Sequence, residues 1–171
     1  MSLVETLGYH PRPANLIQRA SWLISKSRPG AWFFSKTIHH IDPLLLRLTR
    51  GRLSLPGLLA GLPVITLVTV GAKSGKRRES ALLGVPVNDG VAVIGTNFGQ
   101  KTTPSWWFNL RANPDVEVIY RGNLGLARAR EADDNERTAI WDTARGVYAG
   151  YEAYARRITD RPIHIAVLEH R

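Results

Sequence analysis

The run Val64-Ile65-Thr66-Leu67-Val68-Thr69-Val70, followed by Gly71-Ala72-Lys73-Ser74-Gly75-Lys76-Arg77-Arg78-Glu79-Ser80, decides the fold of this chain. The first seven residues are mostly β-branched, a composition that fits a pleated surface. Glycines at 71 and 75 then punctuate a cluster of cations, and strand-like sequence resumes at Ala81–Val87. The reading is strand, tight turn, strand. Such a turn gathers backbone N–H groups, a hydroxyl and fixed positive charge on one small surface, which suits a phosphate or a polycarboxylate. Lys73 and Arg78 would then reach one ligand from the two limbs of the turn. The competing reading is a solvated hairpin tip whose charge serves solubility. A triphosphate-binding P-loop is excluded, because Gly71 and Gly75 stand one residue too close and Arg77 follows Lys76. A dinucleotide fingerprint is excluded as well, since no Gly-x-Gly-x-x-Gly opens a helix.

Outward from this turn the strand pattern continues. Val91–Thr96, Val116–Tyr120, Leu124–Glu131 and Ile163–Leu168 are short and branched or alternating. Asn88-Asp89-Gly90 and Arg121-Gly122-Asn123 read as hairpin turns. Helices are expected at Pro104–Ala112, with proline in the first turn, at Asp133–Val147, and at Tyr151–Arg157. Asp133 or Asp134 can cap the second of these, and Glu136 sits where the helix dipole favours it. About six mainly antiparallel strands with helical insertions predict an α+β chain built on a small barrel. Regular strand–helix alternation, which a doubly wound sheet needs, is absent.

Residues 1–52 read differently from residues 53–171, and the chain divides there into a basic helical N-terminal segment and a barrel domain. The first 50 positions hold seven Lys/Arg against Glu5 and Asp42. Helices are expected at Ala14–Lys26 and Ala31–Arg50, the second kinked or split by Pro43. That second segment mixes Trp32, Phe33, Phe34 and several leucines with Lys36, Arg47 and Arg50, the composition of an interfacial membrane helix or of a helix docked on the body with its cations in water. No signal peptide is legible, since Pro11 and Pro13 interrupt the early sequence. The uncharged stretch beyond Arg52 is broken by Pro56-Gly57, Gly61 and Pro63, so it is a loop and a strand rather than a span. The localisation expected is cytoplasmic, with a peripheral place on the inner face of the cell membrane as the finer alternative.

The 171 residues suffice for one domain with a real core. A net charge of +9 favours acidic partners: nucleic acid, an anionic membrane or an anionic cofactor. The absence of cysteine removes disulfides, thiolate metal sites and a cysteine nucleophile. His39 and His40 are adjacent and lack a carboxylate at metal spacing, so no metal site is expected. Two aromatic clusters remain. Trp106, Trp107 and Phe108 are consecutive and cannot share one helix face, so one ring should meet the core and one a groove. Asn109 beside them would need partners if buried. Tyr148, Tyr151 and Tyr154 would cover one broad helix face, offering flat apolar area and donors to a planar substrate. Plain core packing is the alternative for both clusters.

Taken in order, Gly71-x-Lys73-Ser74-Gly75-x-x-Arg78, Pro104-x-Trp106-Trp107-x-Asn109-Leu110-x-x-Asn113-Pro114, the spaced tyrosines and Thr159-Asp160-Arg161-x-Ile163 resemble the deazaflavin (F420)-dependent nitroreductase family of mycobacteria and related actinobacteria. The resemblance implies a split β-barrel and an oxidoreductase passing a hydride from reduced coenzyme F420, an 8-hydroxy-5-deazaflavin with an anionic oligoglutamate tail, to a planar electrophile: a quinone, a nitro compound or an enone. It implies that Lys73, Ser74, Gly75 and Arg78, with Glu79 and Ser80 beside them, hold the coenzyme's phosphate. It implies that Leu82, Leu83, Thr96 and Asn97 line the deazaflavin, that Trp106, Trp107 and Asn109 border the groove, and that Tyr148, Tyr151 and Tyr154 wall the substrate pocket; a tyrosine hydroxyl there, Tyr151 foremost, could stabilise or protonate the oxygen that gains charge, and which of the three does so stays open. The chain departs from the family pattern at Ala81, Leu83, Thr96-Asn97 and Trp107, which touches the substrate pocket more than the phosphate site. Two other classes stay open at this stage: an FMN-binding split barrel, and a basic nucleic-acid binder stacking single strands on its aromatics.

Overall fold

The computed structural model describes residues 2–10 and 62–171. The helices expected at Ala14–Lys26 and Ala31–Arg50 lie outside the described residues. Within them the strands are β1 (Val64–Val70), β2 (Arg77–Leu83), β3 (Val85–Val87), β4 (Gly90–Ile94), β5 (Asp115–Tyr120), β6 (Asn123–Glu131) and β7 (Ile165–His170). The helices are α1 (Leu3–Leu7), α2 (Ser105–Ala112), α3 (Asp134–Val147) and α4 (Gly150–Ala155). All neighbouring strands pair antiparallel in one curled sheet, in the order β2-β1-β5-β6-β7-β4-β3. This is the expected split barrel, with seven strands rather than six. The predicted strand Ala81–Val87 is two strands, because the chain breaks its pleat at Gly84. A β-carbon there would lie 2.5 Å from the Tyr9 hydroxyl, so only glycine lets the two elements meet.

Strand β2 also begins at Arg77, four residues earlier than Ala81. The cations after Gly75 are therefore strand residues, and their side chains alternate between the two faces of the sheet. Register fixes which is which. Arg78, Ser80 and Leu82 lie opposite Thr69, Leu67 and Ile65, on the inner face. Arg77, Glu79 and Leu83 lie opposite Val70, Val68 and Val64, on the outer face.

The two faces build two cores. Ile65, Leu67, Val91, Val93, Val118 and Leu168 fill the barrel with Trp106, Trp107 and Leu110 of α2. On the other side Val85, Ala92, Ile94, Ile165 and Val167 pack against Ile140 and Ala144 of α3 and the tyrosines near α4. Helix α3 starts in a capping box, with Asp133 accepting from the Glu136 N–H at 2.8 Å and Glu136 accepting from the Asp133 N–H at 3.0 Å.

The N-terminal peptide is part of this barrel. Ser2 and Glu5 form a capping box that starts α1, and Gly8 in the left-handed region ends it. Leu3, Leu7 and Tyr9 are fully buried. The Tyr9 hydroxyl donates to the Gly84 carbonyl at 2.7 Å, its ring meets Tyr120 edge-on, and the Asn123 amide donates to the Leu7 carbonyl. Residues 2–10 thus close one end of the barrel, an arrangement that the basic, aromatic character of the first 50 residues conceals.

Candidate functional site

The turn between β1 and β2 is closed by its own backbone. The Gly71 N–H donates to the Lys76 carbonyl and the Gly75 N–H to the Gly71 carbonyl, both at 2.8 Å. Gly75 takes φ +62°, which leaves it free of a side-chain penalty. The Ser74 hydroxyl lies over Gly71, accepts from the Lys76 N–H at 3.4 Å, and stands 3.5 Å from the Arg78 guanidinium.

What holds this turn in place is Asn109. Its side-chain oxygen accepts from the Ala72 N–H and its amide donates to the Thr69 hydroxyl, each at 3.0 Å. Asn109 is buried, and these bonds supply the partners that such an amide requires. Helix α2 is in this way fastened to both the end of β1 and the basic turn.

Alternation along β2 sorts the cations. Arg77 pairs with Glu79 and, at 3.2 Å, with Glu117 on the outer face. Arg78, Lys73 and Lys76 make no ion pair among the described residues and are exposed. The sequence reading placed Glu79 beside the phosphate; the structure puts its carboxylate on the face away from Arg78, where Arg77 occupies it. Ser80 and Leu82 stay on the Arg78 face. Leu83 does not share a surface with Leu82: it packs on the outer side, with the core that contains the tyrosines. The donor set on the inner limb, two or three unpaired cations with a hydroxyl and no carboxylate, fits a phosphorylated, acidic ligand.

An open groove of about 390 Å³ on the outer face has another character. It is lined by Val68, Val70, Arg77, Glu117 and Leu126 among others. The charges at its rim already neutralise one another, Arg77 with Glu117 and Arg171 with Asp115. It therefore offers an anion much less than the inner limb does.

Both tryptophans of α2 are buried, Trp106 in the barrel core and Trp107 stacked on the His164 ring at 4.2 Å. The ring left in solvent is Phe108, half exposed. Of the three consecutive rings, the two indoles meet the core and the phenyl meets solvent. The His164 partner had no sequence signal, because 57 positions separate the two rings.

The three tyrosines do not lie along one helix. Tyr148 caps the end of α3 in an extended conformation, and Tyr151 and Tyr154 follow on α4. They converge at this break: the Tyr148 and Tyr154 hydroxyls are 3.3 Å apart, and the Tyr148 and Tyr151 rings meet at 6.0 Å. All three are buried. Burial, with Tyr148 close by, pushes the Tyr151 phenol well above its usual range. The Tyr151 hydroxyl makes no hydrogen bond among the described residues, and Trp141 stands edge-on to its ring.

Thr96 and Asn97 begin a short 3-10 turn after β4. Asn97, Phe98 and Gly99 all have positive φ, at 45°, 56° and 76°. The Asn97 amide donates to the Thr102 carbonyl and hydroxyl. Phe98 meets Tyr154 edge-on at 6.2 Å. Arg161 grips the turn from behind, donating to the carbonyls of Gly95, Thr96 and Gln100 at 3.0 to 3.3 Å. The sequence singled out Arg161 only as part of a motif, and gave no hint that its partners are backbone. Among the described residues no helix is long and apolar enough to cross a membrane, and no group of three or more His, Asp or Glu stands ready for a metal.

Comparison with known proteins adds four findings. The family profile described as F420H(2)-dependent quinone reductase matches residues 45–170. A Mycobacterium tuberculosis protein named F420H(2)-dependent quinone reductase is 31% identical over 144 residues, covering 77% of this chain and 94% of that one. Among solved structures, an F420-H2 dependent reductase (FDR-A) superimposes with a TM-score of 0.57 at 36% identity, over 62% of this chain and 93% of that one. A chain described as a domain-swapped dimer gives 0.59 at 30% identity, over 82% and 98%.

Proposed function

The chain belongs to the F420H(2)-dependent quinone reductase family, and from that premise we propose that it reduces a quinone-type acceptor with reduced coenzyme F420, activated nitro compounds and conjugated enones being further acceptors. The observation that carries this reading is the sorting of charge on β2: Arg78 and Lys73 are left without carboxylates on the limb that Asn109 braces, while Arg77 is neutralised behind it.

Lys73, Arg78 and Ser74 would hold the phosphate, and Lys76 would add positive charge beside them for the acidic tail. Ser80 and Leu82 continue the same face of β2, and Leu83 on its other face packs with the tyrosines. Thr96 and Asn97 border the ring from the turn after β4, and the buried α2 keeps water from the inner wall. Bound reduced F420 supplies a hydride from a ring carbon, which favours two-electron transfer. On the acceptor side Tyr148, Tyr151 and Tyr154 form an aromatic wall against which a planar molecule can lie. An oxygen that gains negative charge there meets a donor in Tyr151, whose elevated pKa keeps its proton in place at neutral pH.

The test is a titration of the full chain with F420 and with FMN in dilute buffer, read by tryptophan fluorescence, followed by oxidation of the reduced coenzyme with quinones, nitroimidazoles and enones. Saturable quenching by F420 and turnover with a quinone are expected. Affinity for FMN alone would overturn the assignment in favour of a flavin barrel.

A peripheral membrane contact through the basic N-terminal segment belongs to the same proposal, with anionic headgroups contributing about 1 kcal/mol per nearby cation. Because residues 2–10 are built into the barrel, the contact is tested by charge removal rather than truncation. Lys36→Gln, Arg47→Gln and Arg50→Gln together should abolish co-sedimentation with anionic vesicles. Equal binding by the variant and the unaltered chain ends that part of the proposal.

A further inference from the structure

The turn from Thr96 to Gln100 is the most constrained backbone in the described barrel. Three consecutive residues sit in the left-handed region, and two of them, Asn97 and Phe98, carry side chains that disfavour it. Such a turn persists only if its surroundings over-determine it. The Asn97 amide's bonds to Thr102 and the Phe98–Tyr154 contact supply part of this, and one guanidinium supplies the largest set of bonds. Arg161 donates through Nη1 to the Gly95 carbonyl at 3.0 Å, through Nη2 to the Thr96 and Gln100 carbonyls at 3.2 and 3.1 Å, and through Nε to Gln100 at 3.3 Å. It also reaches the carbonyl of its neighbour Pro162. Every partner is a backbone carbonyl, and none among the described residues is a carboxylate. Three residues on from Arg161, the His164 carbonyl accepts from the Gly95 N–H at 2.8 Å, which ties the approach to β7 to the start of the turn. A planar fork that spans three carbonyls cannot be replaced by a point charge.

The turn also joins the two halves of the proposed site. Its first residues, Thr96 and Asn97, border the ring position, and its third, Phe98, meets Tyr154 on the acceptor wall. We infer that Arg161 is a positioning residue: it holds the turn in the left-handed conformation that presents Thr96 and Asn97 to the coenzyme and braces Tyr154 against the acceptor. This rests on the function proposed above. Coenzyme affinity and acceptor affinity are therefore coupled through one side chain that touches neither.

The experiment compares the full chain with Arg161→Gln and Arg161→Lys, using Lys101→Ala, which removes only the exposed contact with Asp160, as a control. Amide hydrogen exchange is followed first, without coenzyme. In Arg161→Gln the amides of residues 97–101 should exchange about tenfold faster while β4 and β7 keep their protection. F420 affinity should fall on the order of 10- to 100-fold, with a rise in acceptor KM alongside it. Arg161→Lys should recover only part of either loss, and Lys101→Ala should match the unaltered chain. Unchanged exchange and affinity in Arg161→Gln overturn the inference and leave the proposed function standing. Loss of protection across all strands overturns it by making Arg161 a general stability residue. Should Arg161→Gln not fold, Arg161→Lys decides, and affinity equal to that of the unaltered chain overturns the role. If the unaltered chain itself does not bind F420, the proposed function falls and takes the coenzyme-positioning role with it.

Discussion

Arg77 and Arg78 are neighbours of identical chemistry with opposite assignments. The difference is the pleat: one side chain points to Glu117 and Glu79, the other to open solvent beside Ser74. Arg78→Ala and Lys73→Ala should each weaken F420 binding by about 1.5–3 kcal/mol, the worth of a charge-assisted contact. Arg77→Ala should leave affinity within a factor of a few. Fluorescence titration separates the three, and equal losses for Arg77 and Arg78 would contradict the sorting. Asn109→Ala removes the partner of both the Ala72 N–H and the Thr69 hydroxyl, and should cost about 1–3 kcal/mol of stability in denaturant unfolding while loosening the turn. At Tyr151 the direction of the pKa shift fixes a pH dependence. A phenol raised above its ordinary 10.0 stays protonated through the alkaline range, so kcat should show no falling limb below pH 10 from this group. Tyr151→Phe should lower kcat by roughly 10²–10³-fold, as removal of an oxyanion donor does, with little change in melting temperature.

The elements were largely legible in the sequence. Strand β1 has the predicted bounds, both hairpin turns stand where Asn88-Asp89-Gly90 and Arg121-Gly122-Asn123 put them, and Asp133 is the cap of α3. These features are local: β-branching, turn chemistry and a capping side chain act within a few residues. The break between α3 and α4 was legible, since helices were expected to end at Val147 and to resume at Tyr151, and Gly146 and Gly150 flank it. Two features were not legible: the start of β2 and the need for glycine at 84. Charged strand residues at Arg77–Ser80 read as a turn because solvent lies on one side of β2 and the turn's composition runs into it. Glycine at 84 matters only because Tyr9 arrives there. Helix α3 supplies its own test. Arg130 and the Asp133 N–H hold the Glu136 carboxyl down at about 2, below its ordinary 4.5. A depressed carboxyl stabilises the fold above its unfolded pKa and loses that contribution as pH falls through the folded one. Glu136→Gln should therefore lower the melting temperature at neutral pH, and the gap should close between about pH 4.5 and pH 2. A gap that persisted unchanged to pH 2 would refute the pairing.

At the scale of the whole molecule, the barrel is completed by its own N-terminal peptide. Leu7 is fully buried against Gly125, where a β-carbon would lie 3.2 Å from the leucine methyl. Leu7→Ala should cost about 2–5 kcal/mol in chemical unfolding, and Tyr9→Phe, which removes the donor to Gly84 but keeps the ring, about 1 kcal/mol. An N-terminal segment that merely trailed in solvent would give neither loss. The split in charge between the first 50 residues and the rest is therefore no guide to where the folding unit ends.

Leu7 reaches its Asn123 partner across 116 positions and Tyr9 reaches Gly84 across 75. During synthesis the opening helix must wait in the open until β6 has left the ribosome. Residues made before the strands are thus among the latest to find their seats, and long-range closure of this kind is slow.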